Sequence, residues 1–291
     1  MAKATPGYLG PYRLLNVVHT GQNCCIWQAY DDANDRMVGV KTLLDKFVKD
    51  REQVRFLRWE YAVGRTLKNP RIIEMFSLGI DRGIPYLVVE WFSAPNLKQR
   101  MNAGIDKFAY MLPKIVERSA EALAYLHKMG WVHRDVKPDN FLVGDEAEVK
   151  LIDFALARKQ KSGLMKLFAR GNKVQGTRSY MPPEQIRGKV QDPRSDVYSF
   201  GCVLHELLSG KPPFTGVSSN DLLMKHLHSP PPPLEAFNSN VTPDFSQLVR
   251  KCMSKNPAAR PDSMEDFLGE FRMMRIYKNP PRPPETKTPP R

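Results

Sequence analysis

The chain has 291 residues, of which 42% are hydrophobic, enough to bury a sizeable core and too many for a globally disordered polymer. Lysine and arginine outnumber acids 44 to 31, a formal charge of +13, which suits anionic partners such as nucleotide phosphates or acidic protein; with no recognition motif beside it, the charge does not point to nucleic acid. No apolar run is long enough for a bilayer span, the opening MAKATPGYLGPYR has no apolar signal core, and Cys24, Cys25, Cys202 and Cys252 show no CxxC spacing, so neither a zinc framework nor disulfides are expected and a reducing cytoplasm is the expected setting.

In chain order, residues up to about Glu90 read as short strands with one helix. Tyr12–Val18, Cys25–Tyr30 and Met37–Leu43 are apolar and partly β-branched, with the turn-forming DDANDR between the last two. Residues 50–68 read as a helix, with Val54, Leu57, Tyr61, Gly64 and Leu67 at helical spacing and Pro70 as its stop. Pro85–Glu90 reads as a buried strand and WFSAPN as a connector. Beyond it the pattern is mostly helical: Tyr110–Lys128, Ser195–Leu208, Ser219–His228, Asp244–Ser254 and Ser263–Ile276. SPPPP at 229–233 is a rigid loop, and residues 277–291 read as a Pro-rich, basic, disordered tail.

Residues 133–140 read HRDVKPDN, which places an acid, a lysine two positions on and an asparagine five positions on in one loop after a long helix; residues 151–154 read LIDF. With Gly21 in a sparse glycine loop, Lys41 in VGVK, Glu60 in the next helix, GTRSYMPPE at 176–184, SDVYSFG at 195–201 and Arg260 in NPAARP, the ordered set resembles eukaryotic-like (Hanks-type) serine/threonine protein kinases of the kind bacteria also carry. The resemblance covers about residues 10–276. It implies an α+β, bilobal fold within 1–276: an antiparallel-sheet N-lobe with one main helix at about 10–90, a mainly helical C-lobe at about 93–276, and a cleft between them.

It also implies roles. Lys41 would hold the ATP α- and β-phosphates and Glu60 would orient it; Asp153 and Asn140 would supply oxygen ligands to Mg²⁺, with Mn²⁺ as an alternative metal; Asp135 would accept the substrate hydroxyl proton; and Lys137, the serine/threonine signature, would offset γ-phosphate charge. Val18, Ile26, Gly39 and Leu142 would sandwich adenine, the backbone of Glu90 and Phe92 would meet its edge, and Val89 would stand at the gatekeeper position with a back pocket behind it. Glu184 with Arg260 would anchor the activation segment, Asp196 would receive backbone N–H groups of the catalytic loop, and His133 with Phe154 would belong to a buried column.

The chain departs from the family pattern in three places. His19 and Cys24 replace two of three loop glycines, leaving Gly21, so a looser phosphate cradle and a high KM for ATP are expected. Asp-Phe-Gly is Asp-Phe-Ala, and Ala155 would cost about 1 kcal/mol if a left-handed backbone were required there. Ala-Pro-Glu is Pro-Pro-Glu, with Pro182 stiffening a turn. The Cys24–Cys25 pair reads as two small semi-apolar residues before it reads as a redox switch. Since Lys41, Asp135 and Asp153 are all kept, the reading is an active Mg-ATP kinase acting on protein serine and threonine; the alternative readings are a pseudokinase that works by binding and a small-molecule kinase. Arg134 would take a phosphate from the activation segment. Ser162 and Thr177 are the candidate autophosphorylation sites, although Thr177 falls where the family contacts the catalytic loop. A short helix at about 163–170 would instead control the segment by packing Leu164 and Phe168, its basic face favouring acidic substrates or an acidic regulator.

Overall fold

The structure, a computed structural model, describes residues 7–160 and 176–283. The helix expected at 163–170, together with Ser162, lies outside the described residues. The chain divides into two compact units, Met1–Ser93 with Ile152–Leu156, and Ala94–Leu151 with Ala157–Arg291.

The first unit is built on one antiparallel sheet of β1 (Tyr8–Leu9), β2 (Tyr12–Thr20), β3 (Cys24–Asp31), β4 (Arg36–Leu43), β5 (Met75–Asp81) and β6 (Ile84–Glu90), in the order β1-β2-β3-β4-β6-β5. Its core is Leu9, Ala29, Val38, Val40, Tyr86 and Val88, with Tyr12, Leu14, Trp27, Phe76 and Ile84 packed on it. Between β4 and β5 runs α1 (Arg51–Gly64), whose first turn is closed by the Asp50 carboxylate accepting from the backbone N–H groups of Glu52 and Gln53. Its buried face is Leu57, Glu60, Val63 and Gly64.

The helix read over 50–68 therefore stops earlier than Pro70 suggests. After Gly64 the backbone tightens, with Thr66 N–H donating to Val63 and Leu67 N–H to Gly64, both at 3.0 Å. Strand β5 went unforeseen, because MFSLGID mixes serine, glycine and an acid into its alternation, and its ladder with β6 is interrupted between Met75 and Ser77.

The second unit begins with α2 (Leu97–Ala103), capped by a reciprocal Asn96–Gln99 box, and α3 (Leu112–Lys128). Two short ladders follow, β7 (Trp131–Val132) with β10 (Arg158–Lys159), and β8 (Phe141–Val143) with β9 (Val149–Leu151). Then come α4 (Pro183–Ile186), α5 (Pro193–Ser209), α6 (Ser219–His228), α7 (Pro243–Cys252) and α8 (Met264–Phe271). Every residue of α5 from Ser195 to Leu208 is buried, which explains why its apolar pattern runs around the whole helix. It starts on the Asp192 cap and stops on Gly210 in the left-handed conformation (φ 77°). The last helix ends at Phe271, short of Ile276, yet packing continues past it: Tyr277 is buried and bridges Val241. Among the described residues no helix is long and apolar enough to cross a membrane.

Candidate active site

In the first unit the site grows from strand register. Lys41 on β4 pairs with Ile26 on β3, and Gly39 with Gln28, so alternation places Ile26, Gly39 and Lys41 on one sheet face. The Lys41 ammonium is 2.7 Å from Glu60 Oε2 and 4.0 Å from Asp153 Oδ1. Burial opposes the charge on Lys41, but the two carboxylates outweigh it and hold its pKa above the ordinary lysine value. Glu60 is 4% exposed; burial pushes its carboxyl up against the pull of Lys41. A fixed cation between two carboxylates can meet an anionic group, and the Asp153 carboxylate beside it is half-exposed.

Asp153 itself adopts a left-handed backbone (φ 65°), and Ala155 is absent from the positive-φ residues. The cost expected at Ala155 is therefore not incurred in this conformation: the strain sits two residues earlier, on an aspartate, a residue type that tolerates it. Ala155 N–H donates to Asp153 Oδ1 at 3.3 Å, and Phe154 is fully buried.

The loop after β2 keeps a tight geometry, with Gly21 N–H donating to the Cys24 carbonyl at 2.9 Å. A Cβ on Gly21 would lie 3.6 Å from both His19 Nε2 and Cys24 Sγ, ordinary contacts, so nothing within the loop itself demands glycine there. The His19 ring does occupy the space beside Gly21. Val18 is 46% exposed. Burial raises the thiol pKa of both Cys24 and Cys25, which favours an inert pair over a redox switch. At the end of β6, Val89 packs against Gly39, where an added Cβ would come within 3.0 Å of Val89 Cγ2. Glu90 N–H donates to the Glu74 carbonyl at 2.8 Å, and Phe92 is half-buried.

The second unit carries the HRDVKPDN loop. Each carboxylate oxygen of Asp135 has a donor: Lys137 Nζ at 2.8 Å on Oδ2, and the Thr177 backbone N–H at 2.9 Å on Oδ1. Lys137 also donates to the Thr177 hydroxyl at 3.1 Å, so Thr177 contacts the catalytic loop. Asn140, buried, donates its amide to the Asp135 carbonyl at 2.8 Å. Leu142 follows on β8 and bridges Asn96. Beneath the loop, the buried Asp196 accepts from the backbone N–H groups of His133 (2.7 Å) and Arg134 (2.9 Å) and from His127 Nε2 (2.8 Å). Burial raises the Asp196 pKa, but these donors, His127 foremost, bring it below the usual range.

Gly176 fixes the approach of Thr177. Its φ is +114°, and a Cβ there would come 2.9 Å from Gln185 Nε2 and 3.3 Å from the Arg134 carbonyl. Gly176→Ala is expected to destabilise the protein by about 1–2 kcal/mol and to lower kcat by displacing the Thr177 N–H from Asp135. Melting temperature and initial rate check the two effects separately.

Arg134 is buried at φ 70°, with its Nε donating to Gln191 Oε1 at 2.8 Å. Burial, then the nearby Arg158, lower its pKa to about 10, and Asp196 offsets only part. Further on, Glu184 and the Arg260 guanidinium form two bonds of 2.8 and 2.9 Å, with Ser195 donating to Glu184 at 2.7 Å.

Sequence reasoning missed three supports: Gln191 on Arg134, Gln185 donating to the Arg134 carbonyl (3.3 Å), and a network in which Glu206 accepts from Tyr180 (2.6 Å) and Lys98 (2.5 Å). Only an acid inside the apolar run of α5, Glu206 in VLHELL, carried any signal.

Residues 12–270 match the family described as the protein kinase domain. The chain belongs to that family. Among its relatives it is 34% identical over 274 residues to a probable serine/threonine-protein kinase of Clostridium perfringens (92% of this chain, 38% of that protein). It is 31% identical over 263 residues to the serine/threonine-protein kinase PrkC of Bacillus subtilis (90% and 40%), and 34% over 286 residues to PknA of Mycobacterium tuberculosis (96% and 65%). The chain thus spans about two fifths of the first two relatives and just under two thirds of the third.

Proposed function

We propose that this domain transfers the γ-phosphate of ATP to serine and threonine hydroxyls of proteins, with Mg²⁺, or Mn²⁺ in its place. The observation that carries the reading is the Asp135–Lys137–Thr177 arrangement, in which a carboxylate and an ammonium are pinned side by side by a backbone N–H and a hydroxyl. Asp135 holds the attacking hydroxyl and takes its proton as the new P–O bond forms and the bond from the γ-phosphorus to the β–γ bridging oxygen breaks, ADP leaving with that oxygen. Lys137 offsets the charge on the transferring group. Lys41, kept charged by Glu60 and Asp153, grips the non-transferring phosphates, and Val18, Gly21, Ile26, Gly39, Leu142 and the backbone of Glu90 and Phe92 hold the nucleotide. Asp153 and Asn140 are the oxygen donors proposed for the metal, a set whose chemistry suits a hard divalent cation; when bound, the cation neutralises phosphate charge.

The absence of acids from 156–175, with Arg158, Lys159, Lys161, Lys166, Arg170 and Lys173 present, supports a preference for acidic protein substrates. A cytoplasmic setting is supported by four free thiols. The test is to incubate the purified chain with γ-labelled ATP and a generic protein substrate, with and without EDTA. Label on serine or threonine, lost with EDTA, is expected; label on tyrosine alone, or undiminished by EDTA, would overturn the assignment.

The cradle makes a separate prediction. Because the His19 ring stands beside Gly21, His19→Gly is expected to lower the KM for ATP severalfold while kcat changes little. An unchanged KM would show that the histidine does not restrict the loop.

A further inference from the structure

Arg51, Arg55, Arg58 and Arg65 are all exposed. On α1 and its cap residue, which keeps helical angles, their spacing of four, three and seven places them within about 80° of one another around the helix axis, along about 21 Å of its length. The buried face with Glu60 is on the opposite side. Arg55 has a loose acidic partner, Glu52 at 3.6 Å, with both side chains open to water, and lies 6.0 Å from the Phe56 ring centre. Among the described residues Arg51, Arg58 and Arg65 pair with no acid; Arg65 only lies over the Tyr61 ring, 5.9 Å from its centre. The arrangement works against the helix: Arg51–Arg55 and Arg55–Arg58 are like-charge neighbours, and Arg51 sits at the positive end of the helix dipole. Solubility does not call for such a row on a chain already at +13.

We propose that this arginine row is a docking surface for a carboxylate-rich segment of a partner protein. Charge complementarity selects the chemistry, and arginine's planar fork matches carboxylates in pairs. The two Pro- or Lys/Arg-rich stretches of the chain offer no complement. Residues 161–175 carry four basic residues and no acid, the stretch 277–291 is basic as well, and a second copy brings the same +13. Half-buried Trp59 and Tyr61 border the row on its two sides, giving apolar ledges on which a protein segment can rest. The row is a single line along one helix face, whereas a nucleic-acid backbone is ordinarily tracked by a basic groove with stacking aromatics.

The experiment measures fluorescence anisotropy of a fluorescein-labelled polyglutamate peptide with the whole chain. The triple variant Arg51→Glu, Arg55→Glu, Arg58→Glu is compared with a charge-matched control, Lys114→Glu, Arg250→Glu, Arg275→Glu, whose residues are exposed elsewhere. Affinity is expected to fall on the order of tenfold or more in the first and less than about threefold in the control, with melting temperatures of both close to the parent. Equal losses in the two variants would reduce the binding to net charge and overturn the proposal. So would a parent chain that ignores the peptide yet binds phosphatidylserine vesicles or a single-stranded oligonucleotide through the same arginines. Should the triple variant melt early, Arg51→Gln with Arg58→Gln, which adds no repulsion, must show the same selective loss or the proposal fails. None of these readouts depends on catalysis.

Discussion

Asp135→Asn and Asp153→Asn are each expected to lower kcat by about three to four orders of magnitude, with the melting temperature little changed. The first substitution keeps an acceptor for the Thr177 N–H but leaves no group able to take a proton, and the new amide would face the Lys137 ammonium that now sits 2.8 Å from Oδ2. The second removes one of the two carboxylates that hold Lys41 in its charged form and one charged oxygen donor from the proposed metal site. Neither change opens a cavity, since asparagine and aspartate have nearly the same shape. Initial rates at saturating ATP, beside a melting curve, check both; near-parental rates in either variant would remove that residue from the chemistry.

Arg260→Ala should produce the largest loss of stability, about 3–5 kcal/mol, because it strands the buried Glu184 carboxylate. Arg260 also donates to the carbonyls of Ser254 and Arg194, both at 2.8 Å, so the deletion unties three segments at once. Burial raises the Glu184 pKa, but Arg260, followed by Ser195, brings it below its ordinary 4.5. A depressed carboxylate stabilises the fold fully above its unfolded pKa, and the contribution disappears as pH falls through the lower folded value. The contribution of Glu184 should therefore be intact from neutral pH to about pH 5 and be lost below about pH 4, with Asp196 contributing in the same direction. In Arg260→Ala only Ser195 and a backbone N–H still oppose the effect of burial on Glu184, so its pKa rises and the acid transition should move to higher pH. A variant with the parental acid profile and a small shift in melting temperature would show that the pair contributes little.

Much of the site was legible because its chemistry is contiguous. HRDVKPDN places an acid, an ammonium and an amide in one loop, and the strand lysine and helix glutamate stand in the order that the resemblance to protein kinases implies. What could not be read depends on which neighbours the fold supplies. Gln185 and Gln191 are ordinary amides until the fold sets them on the Arg134 carbonyl and guanidinium. A triplet ending in alanine does not say which of its residues takes the left-handed backbone, and it is Asp153. Strand β5 was hidden by Ser77 and Gly79. The end of α1 was placed too late because Pro70 is a strong stop signal, whereas the helix closes six residues earlier, where Gly64 packs beside Met75.

The central claim is that this domain moves phosphate as well as holding nucleotide. The most direct measurement takes one preparation of the purified chain with Mg-ATP and records both the ATP-dependent shift in melting temperature and label transferred from γ-labelled ATP to protein serine or threonine. Stabilisation by ATP together with transfer that disappears in Asp153→Asn is the predicted result. Stabilisation without any transfer, at any Mg²⁺ or Mn²⁺ concentration, would contradict it.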